Sequence, residues 1–204
     1  MKKNFKLLLL TPCLFSVLCE PEEDVCGLDE PEAYEVNVEN VMETYSQDET
    51  IWFNAKTSSM VIDFCTDSNE PELIEDAQVF LDGLFILKLN TNLNEFNADV
   101  VTDATITYTI GETFNFSVCS DAISHLPTLT NDNEFYEYRI GISINSPGDY
   151  CIVSSMDNSF NLEAENNALI FEDYNTLDNR IRFNSCGDTY TREGIEGHYF
   201  FRVQ

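Results

Sequence analysis

Apolar and polar residues alternate one for one through much of the chain, most clearly in FYEYRIGISIN from Phe135. Tyr136, Tyr138, Ile140, Ile142 and Ile144 fall on one side of an extended strand, and Glu137, Arg139, Gly141 and Ser143 on the other. That is the pattern of a strand with one face in a core and one in water. NSPGD at 145–149 reads as a turn, because Pro147 fixes one backbone angle and Gly148 adopts angles other residues avoid. YCIVSS from Tyr150 is expected to return from it as the hairpin partner. Further strands are predicted at YEVNVENV from Tyr34, TIWFNAK from Thr50, MVIDFC from Met60, ATITYTIG from Ala104 and TFNFSVC from Thr113. NALIFED from Asn167, RIRFNSC from Arg180 and HYFFRVQ from His198 complete the set. DAQVFLDGLFILKLN from Asp76 holds either one long strand or a hairpin turning at Asp82-Gly83. Helix signals are few: CSDAISHL is read as a short helical turn with Asp121 near its start.

Many short strands punctuated by Asn, Asp, Gly and Ser predict an all-β protein. Their uneven spacing favours an antiparallel β-sandwich, Ig-like or jelly-roll-like, with long polar loops. In TIWFNAK, Trp52 and Phe53 must face opposite ways, one inward and one outward. Trp52 is the sole tryptophan. It reads as core or half-buried, with stacking on a sugar ring as the functional alternative.

The first residues follow another logic. Lys2, Lys3 and Lys6 flank an apolar run from Leu7 to Leu18, the layout of an export signal. The run contains Pro12 and is far shorter than the roughly 20 apolar residues of a membrane-spanning helix. FSVLC ends it, and resembles the motif before the lipid-bearing cysteine of bacterial lipoproteins, departing from it at Leu18 where a small residue is usual. Residues 1–18 are therefore read as a lipoprotein-type signal and Cys19 as the lipidated residue, with ordinary cleavage after Cys19 as the alternative. EPEEDVCGLDEPEAYE is acidic, proline-bearing and poor in apolar residues, so residues 19–33 are expected to be a flexible tether. Residues 34–204 are then one sandwich domain. Exported protein is expected on the outer membrane, at the cell surface or the periplasmic face, held by its lipid, or else soluble in the periplasm or medium.

Composition narrows the partners. Ten Lys and Arg stand against 37 Asp and Glu, a net charge of −27. Such a chain is repelled by nucleic-acid phosphates, so nucleic-acid binding is set aside. Of seven cysteines, Cys26, Cys65, Cys119, Cys151 and Cys186 lie beyond the signal and its cleavage point. No Cys-x-x-Cys spacing suggests zinc. In an oxidising compartment they read as disulfide material. Cys151 near the start of one strand and Cys186 near the end of another would meet if those strands paired antiparallel; Cys65 and Cys119 are the next candidate pair.

Catalytic signatures are missing from the sequence. There is no Gly-x-Ser-x-Gly elbow, no His-Glu-x-x-His and no phosphate loop. His125 and His198 read as structural or exposed, in loop-like or strand-edge settings. The acids allow a paired-carboxylate glycan hydrolase, though sequence does not select the pair. TDSNE from Thr66, NDNE from Asn131, MDNSFNLE from Met156 and EDYNTLDN from Glu172 are candidate calcium loops or plain polar turns. Asp157, Ser159, Asn161 and Glu163 alternate in the manner of a calcium loop, without its sixth-position glycine.

The signal, together with YEVNV, DETIWF, SPGDYCIV and YFFRVQ, resembles a group of small β-rich lipoproteins of flavobacteria and other Bacteroidetes. The resemblance implies a surface or periplasmic location and an accessory role, and transfers no site residue. The expected function is non-enzymatic: a binding or accessory module for a protein or glycan partner, attached to a membrane by its N-terminal lipid. The alternatives are the glycan hydrolase and a surface protein stiffened by calcium.

Overall fold

The computed structural model describes residues 27–64, 70–90, 96–115, 120–155, 158–165, 180–193 and 197–204. Within these the chain forms β1 (Glu35–Glu39), β2 (Thr44–Tyr45), β3 (Thr50–Ser58), β4 (Met60–Val61), β5 (Glu72–Leu73), β6 (Asp82–Leu89), β7 (Ala98–Val100), β8 (Thr105–Ile110) and β9 (Glu112–Thr113). There follow β10 (Ile123–Leu126), β11 (Thr128–Leu129), β12 (Phe135–Ser143), β13 (Gly148–Ser154), β14 (Ser159–Phe160), β15 (Arg180–Ser185), β16 (Asp188–Glu193) and β17 (His198–Val203). Helical structure among the described residues is a 3-10 turn at Ala77–Phe80, capped by the Asp76 carboxylate, and the four-residue α1 (Leu162–Glu165).

Two sheets make the sandwich. The first has the order β11-β12-β3-β1-β14, with β8 also beside β12. The second runs β2-β17-β13-β6-β10-β9, with β7 also beside β6. Nearly all pairs are antiparallel; β1 with β14 and β17 with β2 are parallel. Alternation decides which side chains enter the shared core. Val36, Val38, Ile51, Phe53, Tyr138, Ile140 and Ile142 come from the first sheet, and Leu84, Ile86, Tyr150, Ile152, Tyr199 and Phe201 from the second.

The second sheet is covered on its other face as well. Phe85, Leu87, Cys151, Val153 and Phe200 point away from the sandwich core and pack under Ile181, Phe183 and Tyr190 of the β15–β16 hairpin. A strand buried on both faces has no reason to alternate. DGLFILKL and YCIV, apolar nearly throughout, are such strands. The first sheet keeps its outer face in water, and β1, β3 and β12 accordingly alternate.

Two local expectations are overturned, and one left open between a long strand and a hairpin is decided for the strand. The β12–β13 connection is not a hairpin: β12 pairs with β3, β8 and β11, whereas β13 pairs with β6 and β17 in the other sheet. YCIV lacks a polar face and needs the doubly covered sheet, so the turn carries the chain across the sandwich. Tyr150 Oη donates back to the Ser146 carbonyl at 2.8 Å and holds that crossing. CSDAISHL contributes strand β10 and no helix. Asp82-Gly83 lies inside β6 instead of turning a hairpin; a Cβ on Gly83 would meet Ser155 Oγ at 2.5 Å, so the close approach of that segment explains the glycine.

The expected Cys151–Cys186 bridge is also absent. Its premise was pairing between their strands, but β15 pairs with β16 and β13 lies between β6 and β17. Cys151 is a free thiol, fully buried, and burial pushes its pKa well above the usual thiol range. Cys186 sits exposed at the β15–β16 turn with φ at 52°. It is disulfide-bonded, and since Cys151 is free, its partner lies outside the described residues. Cys19, Cys65, Cys119 and Asp157 lie outside them too.

Cys151 is therefore expected to resist iodoacetamide in the native protein and to react in denaturant without reductant. Intact mass before and after unfolding reads this; labelling that requires reductant would contradict the free thiol.

Candidate functional site

Two groups of side chains in the described structure carry organised polar chemistry. One is on the open face of the first sheet. Register places Trp52 of β3 between Glu39 of β1 and Gly141 of β12. The indole lies against Gly141, where an added Cβ would come within 3.0–3.1 Å of the ring. Arg139, two residues along the same face of β12, sets its guanidinium 4.0 Å from the Trp52 ring centroid. Arg139 Nε and Nη2 donate to the two Glu39 oxygens at 2.7 and 2.8 Å, and Nη1 donates to Thr109 Oγ1 of β8 at 3.1 Å. Asn54 of β3 donates to the same Glu39 carboxylate at 2.9 Å.

This lattice joins four neighbouring strands. The bidentate bond to Arg139 lowers the Glu39 pKa, burial opposes it, and the Asn54 bond adds to the lowering. Phe53 is wholly buried and Trp52 half-buried, as their opposite directions require. A planar cation is thereby held over the Trp52 ring on a face that also carries Asn54, Lys56 and Glu137. Chemically it can stack, donate hydrogen bonds and attract an anion or a ring; it offers no nucleophile.

The second group is internal. Asp82 and His125 stand opposite each other on β6 and β10, their side chains directed between the sheets. Asp82 is 3% exposed. It accepts from Tyr138 Oη at 2.5 Å, Asn158 Nδ2 at 2.6 Å and its neighbour Gly83 N at 2.7 Å. Asn158 in turn accepts from the Tyr34 backbone N–H at 2.9 Å, and Tyr34 Oη donates to the Phe80 carbonyl at 2.7 Å. Burial raises the Asp82 carboxyl to about 6, with the three donors pulling the other way. His125 is fully buried; Tyr108 Oη lies 2.9 Å from Nδ1, and Nε2 has no hydrogen-bond partner. Desolvation depresses its pKa to about 3, so it is neutral at any ordinary pH.

A cleft of about 360 Å³ lined by Glu30, Glu32, Tyr34, Phe80 and Asn158 adjoins this cluster, but Asp82 does not line it. Of the two readings of His125 and His198, structural or exposed, both side chains take the buried one: His125 lies within β10 and His198 begins β17. Sequence reading took Asp82 only as a possible turn residue; a lone acid in the otherwise apolar VFLDGLFIL stretch was the signal of a buried carboxylate.

Of the four calcium candidates, Asp157 lies outside the described residues and the other three are placed as follows. Asn161 Oδ1 accepts from the Val38 N–H at 2.9 Å, capping the edge of β1. Ser159 is in β14, exposed beside Glu35, and Glu163 is exposed on α1. Asp132, in the NDNE stretch, is occupied by its own turn through Thr130 Oγ1 and the Glu134 N–H. Among the described residues no three His, Cys, Asp or Glu side chains group to hold a metal. Compared with known proteins, the chain matches no family model, no curated protein and no solved structure.

The two buried groups give opposite pH dependences. The folded pKa of Asp82 lies above its unfolded value, near 3.9, so its contribution is full below about pH 4 and is lost as pH rises through about 6. The folded pKa of His125 lies below its unfolded value, so its contribution is full above about pH 6.5 and is lost as pH falls toward 3. From pH 4 to 6, the stability of wild type relative to Asp82→Asn should fall by about 1.4 kcal/mol per pH unit. Relative to His125→Gln it should rise at a similar rate. Urea unfolding of the three proteins across this range measures both slopes; slopes of the same sign would contradict the assignment.

Proposed function

We propose that the chain is an exported, non-enzymatic binding or accessory module, lipid-anchored at Cys19, that presents the open face of the first sheet to a protein or glycan partner. The observation carrying this reading is the Glu39–Arg139–Trp52 lattice: a solvent-facing array fixed before any ligand arrives. Fixing an arginine in advance reduces the ordering cost of binding, which is where a recognition surface gains. The internal acid and histidine favour the same reading. Asp82 is enclosed by three donors and His125 is wholly buried beside it, so neither reaches the surface.

The export signal and acidic N-terminal segment support an accessory role at a membrane; the end of the expected tether is tied to the domain, with Leu28 bridged to Asp63 and the Glu32 carbonyl accepting from Thr57 Oγ1. No helix among the described residues is long and apolar enough to cross a membrane. The resemblance to small β-rich Bacteroidetes lipoproteins points to the same location.

Trp52, as the sole tryptophan, makes the face its own reporter. Titration of the purified protein with a panel of soluble glycans and envelope proteins should shift its emission for at least one of them. Arg139→Ala should abolish that shift while the fold is retained, and no reducing sugar should be released. Release of sugar ends would turn the reading to a hydrolase. For the anchor, Cys19→Ala should move the protein from the membrane to the soluble fraction of the producing cell; unchanged fractionation would remove the lipid.

A further inference from the structure

We propose that the free edge of β8 is a strand-addition site for an extended basic segment of a protein partner, apolar at alternate residues. The proposal rests on reading the chain as a binding module and selects protein over glycan as the ligand of this edge. β8 pairs with β12 along one side only, Thr105–Ile110 against Arg139–Ser143. Half of its backbone donors and acceptors therefore point away from the sheet, and no described residue bonds to them.

The other margins of the two sandwich sheets are short or closed, and the outer edge of the β15–β16 hairpin, strand DTYTRE, carries the charges of Asp188, Arg192 and Glu193. The far margin of the first sheet is covered by β14 and by Asn161, whose N–H and side-chain oxygen serve Val36 and Val38. The second sheet ends in the two-residue strands β2 and β9. By contrast TITYTI carries no charge and no proline, the usual guards of an edge. Its one irregularity is a register shift between Arg139 and Ile140 that leaves Thr109 as an extra residue, twisting only the last part of the strand.

The surroundings specify the partner. Thr105, Thr107 and Thr109 are exposed, while Ile106 and Tyr108 are half-buried and pack against the sandwich core. Ile106 also lines a cavity of about 180 Å³ with Phe114, Ala122 and Ile123. A strand added beside β8 would extend the inner face over the sandwich margin with its apolar residues and leave the alternate ones in water. From Leu89 to Tyr138 the chain has no Lys or Arg, and Asp103 and Glu112 flank the strand in sequence; Arg139, on the paired strand, has its charge matched by Glu39. A second copy of a chain with net charge −27 would be repelled; lysine or arginine at the outward positions of an incoming segment would be attracted.

The probe is an eight-residue peptide alternating lysine and valine, with blocked termini and a fluorescent label, against a control with glutamate in place of lysine. Anisotropy should show the lysine peptide binding, the glutamate peptide at least tenfold weaker, and affinity falling with salt. Hydrogen exchange should slow at the amides of Thr105–Tyr108 in the complex. Thr107→Lys adds a guarding charge at the edge and should cost at least tenfold. Asn37→Lys places the same charge on exposed β1 across the sheet and should cost less than twofold. Absence of binding, binding without protection of β8, or equal losses in the two variants would each overturn the proposal. The binding-module reading itself is judged by the Trp52 titration, which Thr107→Lys should leave unchanged.

Discussion

Nine residues of β3 lie in unbroken antiparallel register with nine of β12, from Thr50 against Ser143 to Ser58 against Phe135. Because side chains alternate, that pairing settles both faces at once. Phe53, Ala55, Tyr138, Ile140 and Ile142 go into the core. Trp52, Asn54, Lys56, Arg139 and Gly141 go outward. A slip of one residue would put either Arg139 between the sheets or Phe53 in water, a loss no surface interaction offsets. The open-face lattice is therefore a consequence of core burial: Arg139 reaches Glu39 and Trp52 because Phe53 and Ile140 are locked opposite each other on the reverse side.

What the sequence disclosed follows from the same physics. A strand with one wet face writes its position as alternation, so β3 and β12, and the split between Trp52 and Phe53, could be read directly. A strand covered on both faces writes only apolarity. YCIV could be recognised as a strand, but nothing in it named its neighbours, and proximity to β12 through Pro147 and Gly148 suggested the wrong partner. The disulfide expectation failed with it, since Cys151 was placed by an assumed pairing. The lattice was legible only as separate residues: Glu39, Trp52, Thr109 and Arg139 are distant in the chain, and register alone brings them together.

The internal cluster shows how a sandwich tolerates polar groups in its interior. Asp82 loses hydration on burial, and three donors return part of what was lost, leaving its pKa raised but not extreme. Those donors come from β12, from Asn158 and from the strand's own backbone, so the carboxylate ties the second sheet to the first at one end of the core. His125 beside it on β10 is accommodated by giving up its charge. An apolar pair would bury at lower cost. What the polar pair adds is direction: Tyr138 and Asn158 satisfy Asp82 only when the sheets stand in one relative position.

Edges complete the argument, because a sandwich, unlike a barrel, must end somewhere. One margin of the first sheet is closed locally by Asn161 and β14. At β8 the local guards are missing, yet the acids around it act in their place against like-charged strands. Screening limits charge effects to about 8 Å at physiological ionic strength, so the protection depends less on the total of −27 than on acids as near in sequence as Asp103 and Glu112. Such a guard discriminates. It rejects another copy of this acidic chain and admits a basic strand, which a lysine in the edge itself would not do. An edge closed by charge to its own kind remains open to a partner of the opposite sign.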